Sequence, residues 1–193
     1  CGCGPGCVCS WGVRVAAWLL EGSTVADWCV VGCPLGAMGT EAKAFEARTA
    51  AAGGASEIDM VINVGLLKDG DAKAVEDDIR AVVEAVPEAA VKVIIETCLL
   101  TREEKIAACR IAEAAGAKFV KTSTGFSTGG ATVEDVRLMS DSVSAAVKVT
   151  ASGHIRDAEA ARATLAAGAA RLATSTYLHR PRPPRAQEIP HPP

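Results

Sequence analysis

Short apolar segments rich in β-branched residues alternate with longer helical patterns along most of the chain, and this alternation limits the possible folds more than any other feature. The predicted strands are Val8 (a short remnant), 28–31, 57–63, 92–96, 119–122, 147–151 and 171–174. The predicted helices are 40–52, 71–86, 101–115, 132–143 and 157–167, with Thr40 and Thr101 as N-cap candidates. Repeated strand–helix units in one direction predict an α/β protein with a parallel sheet.

The placement of polar residues favours a barrel over a doubly wound sheet. Residues 60–62 and 93–95 are continuous apolar runs, which are typical of parallel strands covered on both faces. No Gly-x-Gly-x-x-Gly motif follows an early strand, so a dinucleotide-binding sheet has little support. Polar residues such as Asn63, Lys121 and Thr150 instead stand near strand ends, where (β/α)8 barrels carry their chemistry. We therefore predict a (β/α)8 TIM barrel.

Composition excludes several kinds of partner. Apolar residues make up 49% of the 193 residues and the net charge is −3, with Lys and Arg scattered along the chain. Scattered basic residues leave no electrostatic footprint for nucleic acid. No apolar run reaches the roughly 20 residues that a membrane span needs. We expect a cytoplasmic protein that binds neither nucleic acid nor a membrane.

The chain divides into a long patterned region and a short tail. Residues 1–178 are predicted to form the barrel domain, whereas 179–193 are rich in Pro and Arg and lack apolar periodicity. Such a segment is not expected to pack against a core. The tail is interpreted as a solvated segment or, alternatively, as a ligand for a proline-recognising domain.

Eight cysteines need an interpretation, because four of them (Cys1, Cys3, Cys7 and Cys9) lie close together at the start of the chain. The two C-x-C pairs could hold a metal ion, but zinc sites more often use C-x₂₋₄-C spacing and no His lies nearby in the sequence. The other interpretation is reduced structural thiols in a reducing compartment. We expect no metal and no cofactor.

Lys121 is the first candidate for chemistry. It follows the apolar residues Phe119 and Val120, so its side chain is expected to point into the barrel and not to water. Burial disfavours an ammonium ion, and a free amine can attack a carbonyl carbon. The alternative is a structural lysine that pairs with a carboxylate, and the spacing alone does not decide between the two.

Three clusters of Ser, Thr and Gly follow successive predicted strands. They are 122–125, 152–154 and 174–176. The last loops of (β/α)8 barrels often bind phosphate through backbone N–H groups and hydroxyls. Each cluster alone is ordinary loop chemistry, but together, beside a candidate nucleophile, they indicate a phosphorylated carbonyl substrate.

Asp59 is the second candidate, because it lies in an otherwise apolar strand. Strand alternation places Glu57, Asp59 and Val61 on one face. A buried carboxylate requires a partner. A lysine across the barrel would supply one, either as part of a proton relay for Schiff-base chemistry or as a structural ion pair.

Three segments resemble the signatures of the deoxyribose-phosphate aldolase family. They are EIDMVINVGLLKDGD at 57–71, KVIIET at 92–97 and FVKTSTGFSTGGAT at 119–132, and the resemblance extends from about Cys7 to Thr176. It implies a class I aldolase on a (β/α)8 barrel that reversibly cleaves 2-deoxy-D-ribose 5-phosphate to acetaldehyde and D-glyceraldehyde 3-phosphate, in deoxyribose phosphate catabolism. It also implies that no cofactor is used.

The same resemblance assigns roles to individual residues. Lys121 matches the Schiff-base lysine, and Asp59 matches the acid/base that works with an ordered water. Lys92 matches a family lysine near the active site. The substrate-binding positions that still match are Gly125, Gly153 and Ser175.

The segment TASGHIR at 150–156 departs from the family motif KASGGIR. Thr150 stands where the family has its second catalytic lysine, so the site loses an ammonium that would help to shuttle protons. Lys148 is two residues earlier and shares a face with Thr150, about 6.5 Å away along the strand. We hypothesise that Lys148 partly replaces the missing group. The alternative is that Lys148 only pairs with Asp59 or another carboxylate.

Two phosphate-site positions and the N-terminus also depart from the family. His154 and Ala173 replace glycines, which predicts weaker phosphate binding. Cys7 aligns with the end of the family's second strand, so we expect a barrel without its first β/α unit, and Cys1 in place of Met suggests a fragment or a processed chain. Two unpaired strand edges favour association, so a homodimer is the assembly we expect.

Two functions follow from these matches and departures. The first is an aldolase that acts on small phosphosugar and aldehyde substrates. The second is a catalytically impaired barrel that binds a phosphosugar or a protein partner without turnover, which Thr150, His154 and the missing strand favour.

Overall fold

The computed structural model describes residues 6–23 and 27–174, in which seven strands alternate with helices. The strands are β1 (Gly6–Val8), β2 (Asp27–Val31), β3 (Glu57–Val61), β4 (Ala90–Ile94), β5 (Phe119–Lys121), β6 (Lys148–Ser152) and β7 (Ala169–Ala173). The helices are α1 (Val13–Leu19), α2 (Thr40–Ala52), α3 (Val64–Lys68), α4 (Ala72–Ala85), α5 (Arg102–Ala114), α6 (Val133–Ser142) and α7 (Ala158–Ala166). Single 3₁₀ turns occupy Ser10–Gly12 and Thr97–Leu99.

All seven strands form one parallel sheet in the order β1-β2-β3-β4-β5-β6-β7. A doubly wound sheet reverses its strand order at a switch point, and this sheet has no reversal, so the barrel prediction is confirmed. The register aligns Asp59 with Lys92, and it aligns Lys121 with Thr150. Candidate residues from four consecutive strands therefore share neighbouring levels of the sheet.

The sheet curls into a barrel wall, as a contact between β3 and β7 demonstrates. Arg171 Nη1 lies 2.7 Å from Glu57 Oε1 and 2.8 Å from Oε2. Four steps of a flat sheet would separate these strands by roughly 19 Å, so only a curled sheet brings them together. Within the described residues, β1 and β7 each have a single strand neighbour.

The apolar core lies between the outer face of the sheet and the helices. On α4, Val75, Ile79 and Val82 follow the helical i, i+4, i+7 spacing and are fully buried. On β3, Ile58 and Met60 are fully buried in the same cluster. Each such side chain stabilises the fold by about 1.5–3 kcal/mol through burial. The opposite face of the strands carries the charged residues, so the barrel interior is the polar side.

The helix starts confirm one N-cap prediction and correct another. Thr101 forms a complete capping box with Glu104 at the start of α5. Thr40 as an N-cap is wrong, because Gly39 is the cap residue of α2 and no side chain caps it. Thr40 Oγ1 instead donates a hydrogen bond to Asp78 Oδ1 on α4.

Helices α1 and α3 were not predicted, and some predictions concern other parts of the chain. Ser175, Cys1, Cys3 and the 179–193 tail lie outside the described residues. Among the described residues, no helix combines the length and apolar character needed to cross a membrane.

Candidate active site

Lys121, Asp59 and Lys92 meet inside the barrel. Lys121 Nζ lies 2.6 Å from Asp59 Oδ2, and Lys92 Nζ lies 2.6 Å from Asp59 Oδ1. Their exposed fractions are 3%, 0% and 0%. Each residue points inward because of strand alternation on β5, β3 and β4. The structure thus brings together three of the residues singled out in the sequence, and the carboxylate bridges the two ammonium groups.

The charged cluster extends across the barrel. Lys92 Nζ also lies 2.7 Å from Glu57 Oε2, and Glu57 in turn accepts both hydrogen bonds from Arg171. Positive and negative groups therefore alternate from Lys121 to Arg171. Three cations and two anions leave one net positive charge. Such pairing is what permits charges to remain inside a protein, because an isolated buried charge is costly.

Two aromatic rings form the apolar part of the cluster. Lys92 Nζ lies 4.1 Å from the ring centroid of Trp28, and Lys121 Nζ lies 5.6 Å from the same centroid. The Arg171 guanidinium lies 4.8 Å from the Phe119 centroid. Cation–π contact at these distances stabilises a desolvated cation. The rings also exclude water, which strengthens the ion pairs.

Glu57 is held in its ionised form. Desolvation by itself would raise the pKa of this carboxyl group, but hydrogen bonds from Lys92 and Arg171 outweigh desolvation and hold the pKa below its usual range. Glu57 therefore remains an anion around neutral pH. It compensates the charge of Lys92, which leaves Asp59 as the carboxylate that faces Lys121.

Thr150 occupies the position beside Lys121, and Lys148 does not join the cluster. Thr150 pairs with Lys121 in strand register, and its buried Oγ1 has no hydrogen-bond partner. Lys148 is exposed at the first position of β6, level with Phe119. The interpretation that Lys148 pairs with Asp59 is wrong. Lys148 is exposed, whereas Asp59 is fully buried and is paired with Lys92 and Lys121. A contribution of Lys148 to activity stays a prediction.

The predicted phosphate-binding glycines lie close together. A Cβ built on Gly153 would lie 3.9 Å from the Gly125 Cα and 3.2 Å from the Gly130 Cα. Gly125 and Gly153 have φ values of +89° and +79°, which favour glycine. His154 also has a positive φ of 63° and is exposed. An imidazole therefore stands beside the glycine cluster, where the family motif has no side chain.

Hydroxyl groups collect at the same ends of the strands. The Oγ atoms of Thr97, Ser123 and Thr150 are buried and have no hydrogen-bond partner in the protein. These residues lie in or just after β4, β5 and β6 respectively. Unpaired buried hydroxyls are costly, and their concentration at one end of the barrel indicates a site for a polar ligand.

Sequence reasoning missed Arg171 and Trp28, and it assigned no role to Glu96. Arg171 interrupts an apolar strand as Asp59 does, and this shared signal could have identified it. Trp28 reads as an ordinary core residue, because only the curled sheet places it under two ammonium groups. Glu96 adopts a left-handed backbone that no sequence pattern announces.

The six described cysteines are free thiols. Burial raises the pKa of Cys29 and of Cys109 to about 12 each, so neither is a ready nucleophile. In the part of the chain that the structure describes, no group of three or more His, Cys, Asp or Glu residues is arranged to hold a metal ion.

A parallel β/α barrel in which a buried lysine at the C-terminal end of β5 pairs with a carboxylate inside the barrel has the architecture of a barrel aldolase. Residues 34–174 match the family model described as DeoC/LacD family aldolase. A deoxyribose-phosphate aldolase from Streptococcus uberis is 57% identical over 169 residues, which are 88% of this chain and 77% of the relative. The chain belongs to the DeoC/LacD aldolase family.

Solved structures agree with this membership. The aldolase QR15 is 40% identical with a TM-score of 0.83, over 87% of this chain and 75% of that chain. The deoxyribose phosphate aldolase from Aeropyrum pernix, described as a unique tetrameric structure, is 30% identical with a TM-score of 0.82, over 89% of this chain and 73% of that chain. The described part of this chain therefore shares the fold of these aldolases.

Proposed function

We propose that this protein is a class I aldolase that reversibly cleaves 2-deoxy-D-ribose 5-phosphate to acetaldehyde and D-glyceraldehyde 3-phosphate, in deoxyribose phosphate catabolism. The observation that carries the proposal is the buried Lys121 amine, 2.6 Å from the Asp59 carboxylate at the C-terminal end of β5. The names of the relatives at 55–57% identity support the choice of substrate.

Lys121 would be the nucleophile. Its neutral amine adds to the C1 carbonyl of the open-chain sugar, and loss of water from the carbinolamine gives an iminium ion. Removal of the C3 hydroxyl proton then breaks the C2–C3 bond, with the electron pair passing into the iminium. The aldehyde product leaves, the remaining enamine is protonated at C2, and hydrolysis releases acetaldehyde and restores the amine.

Asp59 would move the protons. Its carboxylate faces Lys121 directly, so it can accept the proton that Lys121 loses before attack, and with an ordered water it can serve the C3 hydroxyl and the enamine carbon. Lys92 would hold Asp59 in place through the second 2.6 Å contact. Lys92 is fully buried, so any substrate contact by its ammonium would be inside the barrel.

The phosphate end of the substrate would lie at Gly125 and Gly153, with Ser175 as a further partner. The two glycines lie close together and have no side chains, so an anion can reach their backbone N–H groups. The His154 imidazole stands beside these glycines, with its Cγ 2.9 Å from a Cβ built on Gly130. We therefore expect weaker phosphate binding than a Gly-Gly pair would give.

Borohydride trapping tests the proposal directly. The protein is incubated with acetaldehyde, reduced with sodium borohydride and analysed by peptide mass spectrometry. We expect a mass increase of one reduced two-carbon unit on Lys121, and no increase in Lys121→Met. Folded protein without an adduct at Lys121 would reject the aldolase.

The second candidate is a barrel that binds a phosphosugar or a protein partner without turnover. It is favoured by Thr150, which offers a hydroxyl where the family motif has an ammonium. A folded protein that binds 2-deoxy-D-ribose 5-phosphate but gives neither adduct nor acetaldehyde would support this candidate.

The variant Lys148→Ala tests whether Lys148 partly replaces the missing ammonium. A drop in turnover would assign Lys148 this compensating role, whereas equal rates would exclude it.

Assembly and location form part of the same proposal. We propose a homodimer, because β1 and β7 have unpaired edges among the described residues. We propose a cytoplasmic location, because the described cysteines are free thiols, as a reducing compartment maintains. The barrel domain of 1–178 and the separate tail of 179–193 stay predictions.

A further inference from the structure

Glu96 is the most unusual residue near the site that the mechanism above does not use. It follows β4, is 3% exposed and has a φ of 53°. Left-handed backbone is uncommon for a residue with a side chain, and it persists only where surrounding contacts impose it. The contacts of Glu96 therefore identify what this strained position holds.

The Glu96 carboxylate holds Thr124 of the following loop. Its Oε2 accepts hydrogen bonds from the backbone N–H of Thr124, at 3.2 Å, and from the Thr124 hydroxyl. The same hydroxyl accepts a hydrogen bond from the backbone N–H of Phe126 at 3.1 Å. The carboxylate thus fixes the backbone on both sides of Gly125, four residues after Lys121.

Further contacts attach the same loop, residues 122–131, to the end of β4. The Cys98 thiol donates a hydrogen bond to Ser127 Oγ at 3.3 Å, and Thr97 N–H donates to Thr122 O at 2.8 Å. A Cβ built on Gly129 would lie 2.7 Å from the Cys98 Cβ, so the loop packs directly on the 3₁₀ turn Thr97–Leu99. We call residues 122–131 the β5 loop.

The opposite side of the β5 loop is attached to the end of β6. Ala131 N–H donates to Ser152 O at 3.0 Å and to Gly153 O at 3.1 Å. A Cβ built on Gly130 would lie 2.6 Å from the Gly153 carbonyl carbon, so the backbone segments at Gly130 and Gly153 are already in close contact. The β5 loop is therefore fixed from β4 by Glu96 and from β6 by backbone contacts.

Ser123 and Gly125 lie between these two attachments. A Cβ built on Gly153 would lie 3.9 Å from both the Ser123 Cβ and the Gly125 Cα. Ser123 Oγ is buried and has no partner in the protein. A hydroxyl without a partner beside two positive-φ glycines is suited to hold the oxygens of a phosphate group.

We propose that Glu96 is a positioning residue that sets the selectivity of the enzyme for phosphorylated over unphosphorylated substrates. It fixes the β5 loop so that Ser123 and Gly125 face Gly153 at a spacing that fits a phosphate monoester. This inference rests on the proposed aldolase function. The N–H and O–H groups of Thr124 donate hydrogen bonds to the carboxylate and partly offset its repulsion of a phosphate across the loop.

Kinetics with a matched pair of substrates tests this role. The value of kcat/KM is measured for 2-deoxy-D-ribose 5-phosphate and for 2-deoxy-D-ribose, with the full chain and with Glu96→Gln and Thr124→Val. Each variant loses part of the hydrogen bonding between Glu96 and Thr124. We expect kcat/KM to fall about tenfold for the phosphorylated sugar, as one charged hydrogen bond implies, and less than about twofold for the unphosphorylated sugar.

A third variant separates positioning from stability. Glu96→Gly removes the contact to Thr124 but also relieves the left-handed strain, so it should fold at least as well as Glu96→Gln and still lose selectivity. Glu103→Gln serves as the control, because it changes an exposed carboxylate in the first turn of α5 and should leave both substrates unaffected. Equal losses for both sugars, or no loss for either, would overturn the role of Glu96.

Acetaldehyde trapping distinguishes failure of this inference from failure of the aldolase. Acetaldehyde carries no phosphate, so Glu96→Gln should form the Lys121 adduct as readily as the unaltered protein. If the unaltered protein forms no adduct, the aldolase fails. In that case calorimetric titration with 2-deoxy-D-ribose 5-phosphate and 2-deoxy-D-ribose still tests Glu96: a loss of affinity confined to the phosphorylated sugar supports its role, and any other pattern rejects it.

Discussion

Thr150 lies beside Lys121, at the position where the family motif has a lysine. Its buried hydroxyl faces the same level of the barrel as Lys121 but makes no hydrogen bond. Asp59 is the only described carboxylate in contact with Lys121, and it is shared with the ammonium group of Lys92. A proton leaving Lys121 therefore has one acceptor, and a second ammonium at position 150 would provide another group for proton transfer.

Thr150→Lys should raise turnover. General acid–base groups contribute about 10²–10⁴-fold, and we expect a gain near the lower end because the surrounding residues have adapted to threonine. Stability should fall at the same time, since a further cation joins a cluster that already has one net positive charge. The measurement is kcat for 2-deoxy-D-ribose 5-phosphate, together with a urea unfolding curve.

Thr150→Val is the matched control for that prediction. It has nearly the volume of threonine and removes only a hydroxyl that has no partner, so turnover should stay within about twofold if the hydroxyl is idle. A loss comparable to removal of a catalytic group would instead assign the Thr150 hydroxyl to the reaction. Unchanged turnover in Thr150→Lys would show that the ammonium is not what limits the rate.

Lys43 on α2 joins three elements through a single buried ammonium. It is fully buried, and its Nζ lies 2.6 Å from Asp78 Oδ2 on α4 and 3.0 Å from Val61 O at the end of β3. Burial lowers the pKa of Lys43, and the hydrogen bond with Asp78 opposes this effect. Asp59 lies two residues before Val61, so this contact supports the strand that carries the carboxylate facing Lys121.

Asp78→Asn should destabilise the protein by about 3–5 kcal/mol, because it leaves the Lys43 ammonium buried without its charged partner. Urea unfolding followed by circular dichroism measures the change. The double variant Lys43→Met with Asp78→Leu should recover most of the loss, since both charges are then absent. Asp77→Asn is the control: it breaks the largely exposed pair with Lys73 and should have little effect. A similar loss in Asp77→Asn would contradict the explanation from burial.

The elements that sequence patterns predicted are those whose signals are local. Residues 57–63 and 92–96 read as strands because they contain the continuous apolar runs 60–62 and 93–95. The start of α5 follows from the capping box of Thr101, which lies within four residues. Helix α1 was missed because its valines favour strands, and α3 because it has only five residues. Lys121, Asp59 and Lys92 were predicted from strand interruptions and family motifs.

The contacts that sequence patterns did not predict are those between distant parts of the chain. Arg171 and Glu57 are 114 positions apart, and only the curvature of the sheet brings them together. The bond between Glu96 and Thr124 depends on a left-handed backbone, and the Lys43–Asp78 pair depends on how α2 and α4 pack. None of these follows from a residue's neighbours in the sequence.

The pair formed by Arg171 and Glu57 joins residues 114 positions apart. It connects β7 to β3 across the interior of a sheet whose outer strands, β1 and β7, each have one neighbour among the described residues. Arg171 also stacks on Phe119, so it fills space as well as carrying charge. A curled sheet with two edges depends on such a contact to hold its far side in place.

Arg171→Met should therefore weaken the whole barrel in a pH-dependent way. Hydrogen bonds from Lys92 and Arg171 hold the pKa of Glu57 below its unfolded value, although desolvation opposes them. A depressed carboxyl pKa contributes stability above the unfolded pKa, which is about 4.3, and this contribution is lost as pH falls through the folded value. Without Arg171 the pKa of Glu57 rises, so less of this contribution exists to be lost.

The measurable consequence is a difference between two stability curves. Urea unfolding of the unaltered protein and of Arg171→Met, carried out from pH 7 to pH 3, should give the largest gap in unfolding free energy at neutral pH. The gap should narrow as pH falls below about 4.3, because protonated Glu57 no longer binds the guanidinium. Arg162→Met, on α7, is the control. Its difference in unfolding free energy from the unaltered protein should not change as Glu57 becomes protonated. A gap for Arg171→Met that stays constant down to pH 3 would mean that Arg171 supports the barrel by packing on Phe119 alone.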